Sequence, residues 1–160
     1  MIVVSDTSPI NYLVLIDEID LFPKLFGKII IPSAVVAELQ NIASPQAVKD
    51  WIDSPPDWLQ IQTPQNIDYT ITLGSGEREG ISLAKEINSD LILLDDRKAR
   101  RAAIERGLNV AGTLNILTTA SKKEMIDLGD ALQKLRKTNF RVSPALLLEL
   151  LEQGWNHFSK

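Results

Sequence analysis

Ile2-Val3-Val4-Ser5-Asp6 and Leu91-Ile92-Leu93-Leu94-Asp95-Asp96 share one form, an unbroken apolar run stopped by polar residues that include an acid. Such runs suit strands buried on both faces of a parallel sheet, where alternation disappears because neither face meets water. Ile29-Ile30-Ile31, stopped by Pro32, is a further strand of this kind, and Leu59 to Gln62 and Leu108-Asn109-Val110 are shorter candidates. Helical segments fall between them. Ser8-Pro9, Ser44-Pro45 and Ser143-Pro144 each place a serine cap before a proline suited to the first helical position, and Ser33 is placed to cap Ala34 to Ile42. Strand–helix alternation predicts an α/β domain with right-handed crossovers. Thr63 to Gly76 reads as a long loop. After Gly112 the pattern is helical, with Leu146, Leu147, Leu150 and Leu151 as an apolar stripe.

Composition narrows the chemistry. The 160 residues suit one domain, expected over 1–160, with a core over about 1–115 and a helical part over about 116–160. There is no cysteine, so disulfides, thiolate metal sites and cysteine nucleophiles are excluded. The single histidine, His157, argues against histidine-pair ribonuclease chemistry, HExxH proteases and a mid-chain Ser-His-Asp triad. Net charge is −4, so any nucleic-acid contact must use a local patch. No apolar run reaches the ~18–20 residues of a membrane span. The first residues lack a basic signal region, and the expected location is the cytoplasm.

Carboxylates stand where a bland helix or turn does not need them. In open parallel sheets, sites form at the carboxyl ends of strands, and both Asp6 and the Asp95-Asp96 pair end strands. On the helix from about Glu77 to Asn88, Glu77 lies within about 60° of Ile81 and Ala84 and so projects on the apolar side, whereas Glu79 and Glu86 face solvent. Glu38 falls about 65° from the centre of the stripe Val35, Leu39 and Ile42. Each acid also has a plain structural reading. Glu77 complements a helix dipole, Glu38 reaches water from a boundary, and Asp6 and Asp95-Asp96 cap helices. Gathered at one end of the sheet, however, like charges ~4 Å apart repel by ~1–4 kcal/mol per pair. Such a cluster calls for protonation or a cation. Oxygen ligands without sulfur or imidazole select Mg²⁺ or Mn²⁺. The expectation is one or two divalent ions that activate water and stabilise a phosphodiester transition state.

These residues resemble a known family. Val3-Val4-Ser5-Asp6-Thr7-Ser8 resembles the opening strand and first aspartate of PIN-domain nucleases. Ile30-Ile31-Pro32-Ser33-Ala34-Val35-Val36-Ala37-Glu38-Leu39 resembles their second motif, a helical glutamate after a strand. Glu77 to Ala84 stands where the family has an aspartate opening a helix, and Leu91 to Lys98 resembles the strand ending in the last acidic ligand. The ordered set spans about residues 1–115. Leu73-Gly74-Ser75-Gly76-Glu77 and Asp95-Asp96-Arg97-Lys98-Ala99-Arg100-Arg101 are most similar to the prokaryotic branch that includes VapC toxins. The resemblance implies a three-layer α/β/α domain with a central, mainly parallel sheet. It also implies Mg²⁺- or Mn²⁺-dependent cleavage of RNA, a toxin role, an antitoxin protein as partner, and a homodimer. Its ligands are Asp6, Glu38, Glu77 and Asp96, with Asp95 as second choice beside Asp96. The third acid is glutamate rather than aspartate, and the family's usual further aspartate is absent because Arg97-Lys98-Ala99 follows, with the doubled Asp95-Asp96 as the candidate replacement. Ser8 either orients the Asp6 carboxylate or only caps a helix.

Arg97, Lys98, Arg100, Arg101 and Arg106 give +5 against Glu105 immediately after the acidic pair. Arg97, Lys98, Arg100 and Arg101 are the candidate phosphate grips. The alternative is a solvated helix face with Ala99, Ala102 and Ala103 turned inward. Gly74 to Gly80 is not GxGxxG, no GxxxxGK[ST] loop exists, and Gly74-Ser75-Gly76 is not a nucleophile elbow. Trp51, Trp58 and Trp155 read as core or interface residues. The leading expectation is a metal-dependent endoribonuclease. The alternative is a weak or inactive PIN-like module that binds RNA or protein. A phospho-aspartate domain is disfavoured because the acidic pair comes late in the chain.

Overall fold

The structure, a computed structural model, describes residues 1–141. Five strands form one all-parallel sheet: β1 (Val3–Ser5), β2 (Ile29–Ile31), β3 (Leu59–Ile61), β4 (Leu91–Leu93) and β5 (Val110–Ala111), in the order β3-β2-β1-β4-β5. The helices between and after them are α1 (Thr7–Leu15), α2 (Leu21–Phe26), α3 (Ser33–Leu39), α4 (Gln46–Asp53), α5 (Ser75–Glu86), α6 (Arg97–Glu105), α7 (Thr113–Lys122) and α8 (Leu128–Arg136).

Strand alternation divides the core in two. Val3, Ile29, Ile31, Leu91 and Leu93 point to one face and pack with Ile10 and Leu13 of α1, Phe22 of α2 and Ile116 of α7. Val4, Ile92 and Leu94 point to the other and pack with Ile81 and Ala84 of α5 and Ala99 and Ala103 of α6. Because both faces are covered, the three-layer α/β/α arrangement follows from apolar runs without alternation. Trp58 packs edge-on to Phe22 and lies against Trp51, so these two half-buried tryptophans pack against the core.

The chain runs outward from β1 to β2 and β3, then returns to the other side of β1 for β4 and β5. The strand order therefore reverses between β1 and β4, the place where open α/β sheets bind ligands. Val3, Val4 and Ser5 are in register with Leu91, Ile92 and Leu93, so Asp6 and the Asp95-Asp96 pair leave the sheet side by side.

Several local expectations need correction. α3 ends at Leu39, and Ile42 is 91% exposed rather than part of a buried stripe. Position 32, not Ser33, caps α3, and α5 begins at Ser75 rather than Glu77. The last strand is Val110–Ala111, which shares only Val110 with the expected Leu108-Asn109-Val110. Ser8 lies inside α1, where Asp6 holds the cap position. Ser44 precedes its helix by two residues, and its hydroxyl donates to the Glu38 carbonyl at 2.8 Å, tying down the end of α3. Ser143, Trp155, His157 and the leucine stripe lie outside the described residues. Among the described residues no helix is long and apolar enough to cross a membrane.

The long loop is strapped down. Arg78 donates to the carbonyls of Ile71 and Leu73, and Arg106 bonds Asp68 at 3.2 Å and Thr70. Glu86 accepts the amides of Gln65 and Asn66. Arg106 is thereby spent on the fold rather than held out to a phosphate.

Candidate active site

Asp6 ends β1. Its amide donates to the Leu93 carbonyl at 3.0 Å, its side chain is 4% exposed, and Oδ1 is buried with no hydrogen-bond partner. Its pKa is pushed up to about 7. Burial is the main cause, the Thr7 amide pulls the other way, and the charges of Glu77, Glu38 and Asp95 add repulsion.

Glu38 reaches in from α3. The Thr7 hydroxyl donates to its Oε1, and the Gly76 amide donates to Oε2 at 2.9 Å. Gly76 is the second residue of α5, and a Cβ there would stand 2.5 Å from both Glu38 carboxylate oxygens. Glycine is what lets α5 approach this acid. Glu77 follows on the first turn of α5, half-buried as its helix face required. Its pKa is raised by burial first and then by Asp96 and Glu38, against the Gly74 amide. Glu79, expected in solvent, is half-buried, with Oε1 enclosed and unpartnered.

The two aspartates after β4 differ in role. Asp95 accepts the Thr113 amide and hydroxyl, each at 2.7 Å. Burial raises its pKa, while the Thr113 bonds and the Arg100 charge oppose the rise. Asp96 is exposed, caps α6 by accepting the Ala99 amide at 3.0 Å, and lies close enough to Glu77 to repel it.

Asp6, Glu38, Glu77, Asp95 and Asp96 are thus neighbours linked by mutual repulsion, all at the carboxyl end of the sheet. Among the described residues no three of them, as placed, stand close enough to ring a single ion. The reason is local: Glu38, Asp95 and Asp96 are turned onto the chain's own donors. The donor set nevertheless fits a hard divalent cation, because every group is an oxygen and the enclosed Asp6 Oδ1 has no donor of its own. A hollow of about 790 Å³ beside Asn11, Ala43 and Lys134 is lined by none of these five acids.

The basic residues separate in the same way. Arg100 Nη1 donates to the Leu94 carbonyl at 3.0 Å, and its charge faces Asp95, so this guanidinium braces the end of β4. Lys98 is exposed, and Arg97 and Arg101 line an open cleft together with Arg100 and Arg141. Ser8 makes no side-chain hydrogen bond among the described residues; Thr7 is the hydroxyl that reaches an acid. Thr7, Gly76 and Thr113 were missed because each acts through a residue far away in sequence.

Gly112 is the second tight point. A Cβ there would meet Arg100 Nη1 at 2.6 Å, Asp95 Oδ1 at 2.8 Å and the Leu94 carbonyl oxygen at 3.1 Å. The first two groups are pinned and the third is backbone, so the neighbours have little room to give. Gly112→Ala is expected to destabilise the fold by about 1–3 kcal/mol, as overpacking does. Chemical denaturation reads this directly, and an unchanged midpoint would refute the bracing role.

The fold and this acidic centre define the class. A family model described as a PIN domain, DUF3368, matches residues 2–154, and the chain belongs to that family. PIN domains are nuclease-type modules that generally use divalent metals. The fold is also similar to that of a PilT N-terminus domain protein, SSO1118, from the hyperthermophilic archaeon Sulfolobus solfataricus P2. The match has a TM-score of 0.50 at 16% identity and covers 89% of this chain and 100% of that one. No curated protein matches the sequence.

Proposed function

We propose that this PIN domain is a divalent-metal-dependent endoribonuclease, using Mg²⁺ or Mn²⁺. The observation that carries this reading is Asp6: an enclosed carboxylate with an unpartnered oxygen, repelled by Glu38, Glu77 and Asp95. Burying such a group is costly unless a positive charge compensates it. Asp6, Glu38, Glu77 and Asp96 would hold the ion. When bound, the ion supplies charge neutralisation at the phosphate and an acidified water. The chain's own residues do the rest. Gly76 and Thr7 aim Glu38, while Thr113 and Arg100 hold Asp95, which we place as support for the end of β4 rather than as a ligand. The toxin role, the antitoxin partner and the homodimer rest on the VapC resemblance alone.

Incubation with a mixed RNA pool tests this reading. Cleavage is expected with Mn²⁺ and not with EDTA, and Glu77→Gln and Asp96→Asn are each expected to lower the rate at least about tenfold. The engagement of Glu38, Asp95 and Asp96 by protein donors favours a second reading, an inactive RNA-binding module. RNA binding without any Mn²⁺-dependent cleavage would decide for it.

A further inference from the structure

The fold divides the basic stretch after β4. Residues four apart stack on one helix face, so α6 sets Arg97, Arg101 and Glu105 together. This face lines a cleft of about 680 Å³, walled on the other side by Gly112, Leu114 and Asn115 where α7 begins. Neither Arg97 nor Arg101 has a partner among the described residues, and both are exposed. Asn115 is 2% exposed. Its Oδ1 accepts the Gly112 amide at 2.7 Å, which fixes the orientation of the side-chain amide. Nδ2 is left as a buried donor with no acceptor. Asp95 also lines the cleft, but its oxygens are taken by Thr113.

The cleft therefore offers unmatched N–H donors and an excess of positive charge: Arg97, Arg100, Arg101 and Arg141 line it against Asp95, which is held by Thr113, and Glu105. We propose that it is a subsite for a backbone phosphate of the RNA strand, with Arg97, Arg101 and Asn115 Nδ2 as donors. The proposal rests on the nuclease reading above. A phosphodiester supplies the missing acceptor oxygens, and guanidinium forks match them in charge and geometry. The cleft begins at Asp95, next to Asp96, so a strand held there runs on to the acidic centre. Glu105 is the opposing charge on the same wall, which sets a sign for the test.

Binding of a fluorescein-labelled RNA of about a dozen nucleotides to the full chain can be followed by anisotropy. EDTA keeps the strand intact, and a salt series separates charge contacts from the rest. Arg97→Ala with Arg101→Ala is expected to weaken binding about tenfold or more and to lower the salt slope by about one to two. Asn115→Asp keeps an oxygen to accept the Gly112 amide, removes the donor and adds a negative charge to the cleft. It is expected to weaken binding at least about tenfold at a temperature where the variant is folded, and Glu105→Gln, which removes a charge from the same wall, is expected to tighten binding. Affinities and slopes equal to wild type in all of these variants overturn the subsite. If the wild-type chain still cleaves RNA in that case, the nuclease reading stands without it. A wild-type chain that neither binds nor cleaves removes both.

Discussion

Asp6→Asn is expected to abolish RNA cleavage and, in the same molecule, to make the metal-free chain more stable at pH 8. The folded pKa of about 7 lies above the ordinary 3.8 because the carboxylate is enclosed and repelled. A folded-state pKa above the unfolded one means that the native state binds the proton more tightly. The stabilisation from that proton is full below about pH 4 and is lost as pH rises towards about 7. Above that, the ionised Asp6 costs the metal-free fold a few kcal/mol, an order of magnitude set by the size of the shift. Asparagine has nearly the same shape and no charge. The variant is expected to melt about 5–10 °C higher than wild type at pH 8 without metal, and at nearly the same temperature at pH 4. Added Mn²⁺ is expected to raise the wild-type melting temperature at pH 8 and to leave the variant unchanged. Loss of cleavage is expected to be at least about 100-fold, since even residues that only support metal ligands cost 10–100-fold when removed. Melting curves that follow pH identically in the two chains would show that Asp6 is not the strained acid of the site.

Gly76→Ala separates the site from the fold in a different way. The new methyl would stand 2.5 Å from both oxygens of Glu38 and 2.7 Å from its Cδ. Those atoms are the end of a flexible side chain, so Glu38 swings aside rather than the helix moving. It then loses the Gly76 amide and the Thr7 hydroxyl. Against that loss, alanine is favoured over glycine in a helix by up to about 1 kcal/mol. The two effects nearly cancel, and the melting temperature is expected to stay within a few degrees of wild type. Activity has no such compensation. A ligand displaced by an ångström or more costs about two orders of magnitude in rate, and Mn²⁺ affinity measured by calorimetry is expected to fall with it. A variant that cleaves within twofold of wild type would remove Glu38 from the proposed ligand set.

Much of this architecture is readable from the chain. The runs at residues 3–4, 29–31 and 91–94 are apolar on consecutive positions, and only a strand covered on both faces shelters side chains that point both ways. Asp6, Asp95 and Asp96 interrupt those runs, so a place at the strand ends follows with the strands. Glu77 was also readable, because helical periodicity turns it inward. Less was readable at helix ends. Ile42 continues the spacing of Val35 and Leu39, yet the helix stops at Leu39 and leaves Ile42 exposed. Periodicity records which face is apolar, but not where neighbouring elements stop covering it.

The chain's own order of residues determines that there is a parallel sheet, that acids end its strands, and that oxygen is the donor chemistry on offer. The tertiary structure alone decides what each acid does. Asp95 and Asp96 are adjacent and chemically identical, yet one is clasped by Thr113 and Arg100 while the other caps α6 in the open. Arg97 and Arg100 are three residues apart, and one is exposed while the other braces a strand end. Hydropathy and helix periodicity are set by near neighbours in sequence. A carboxylate's partner is set by whichever donor packing carries to within about 3 Å of it.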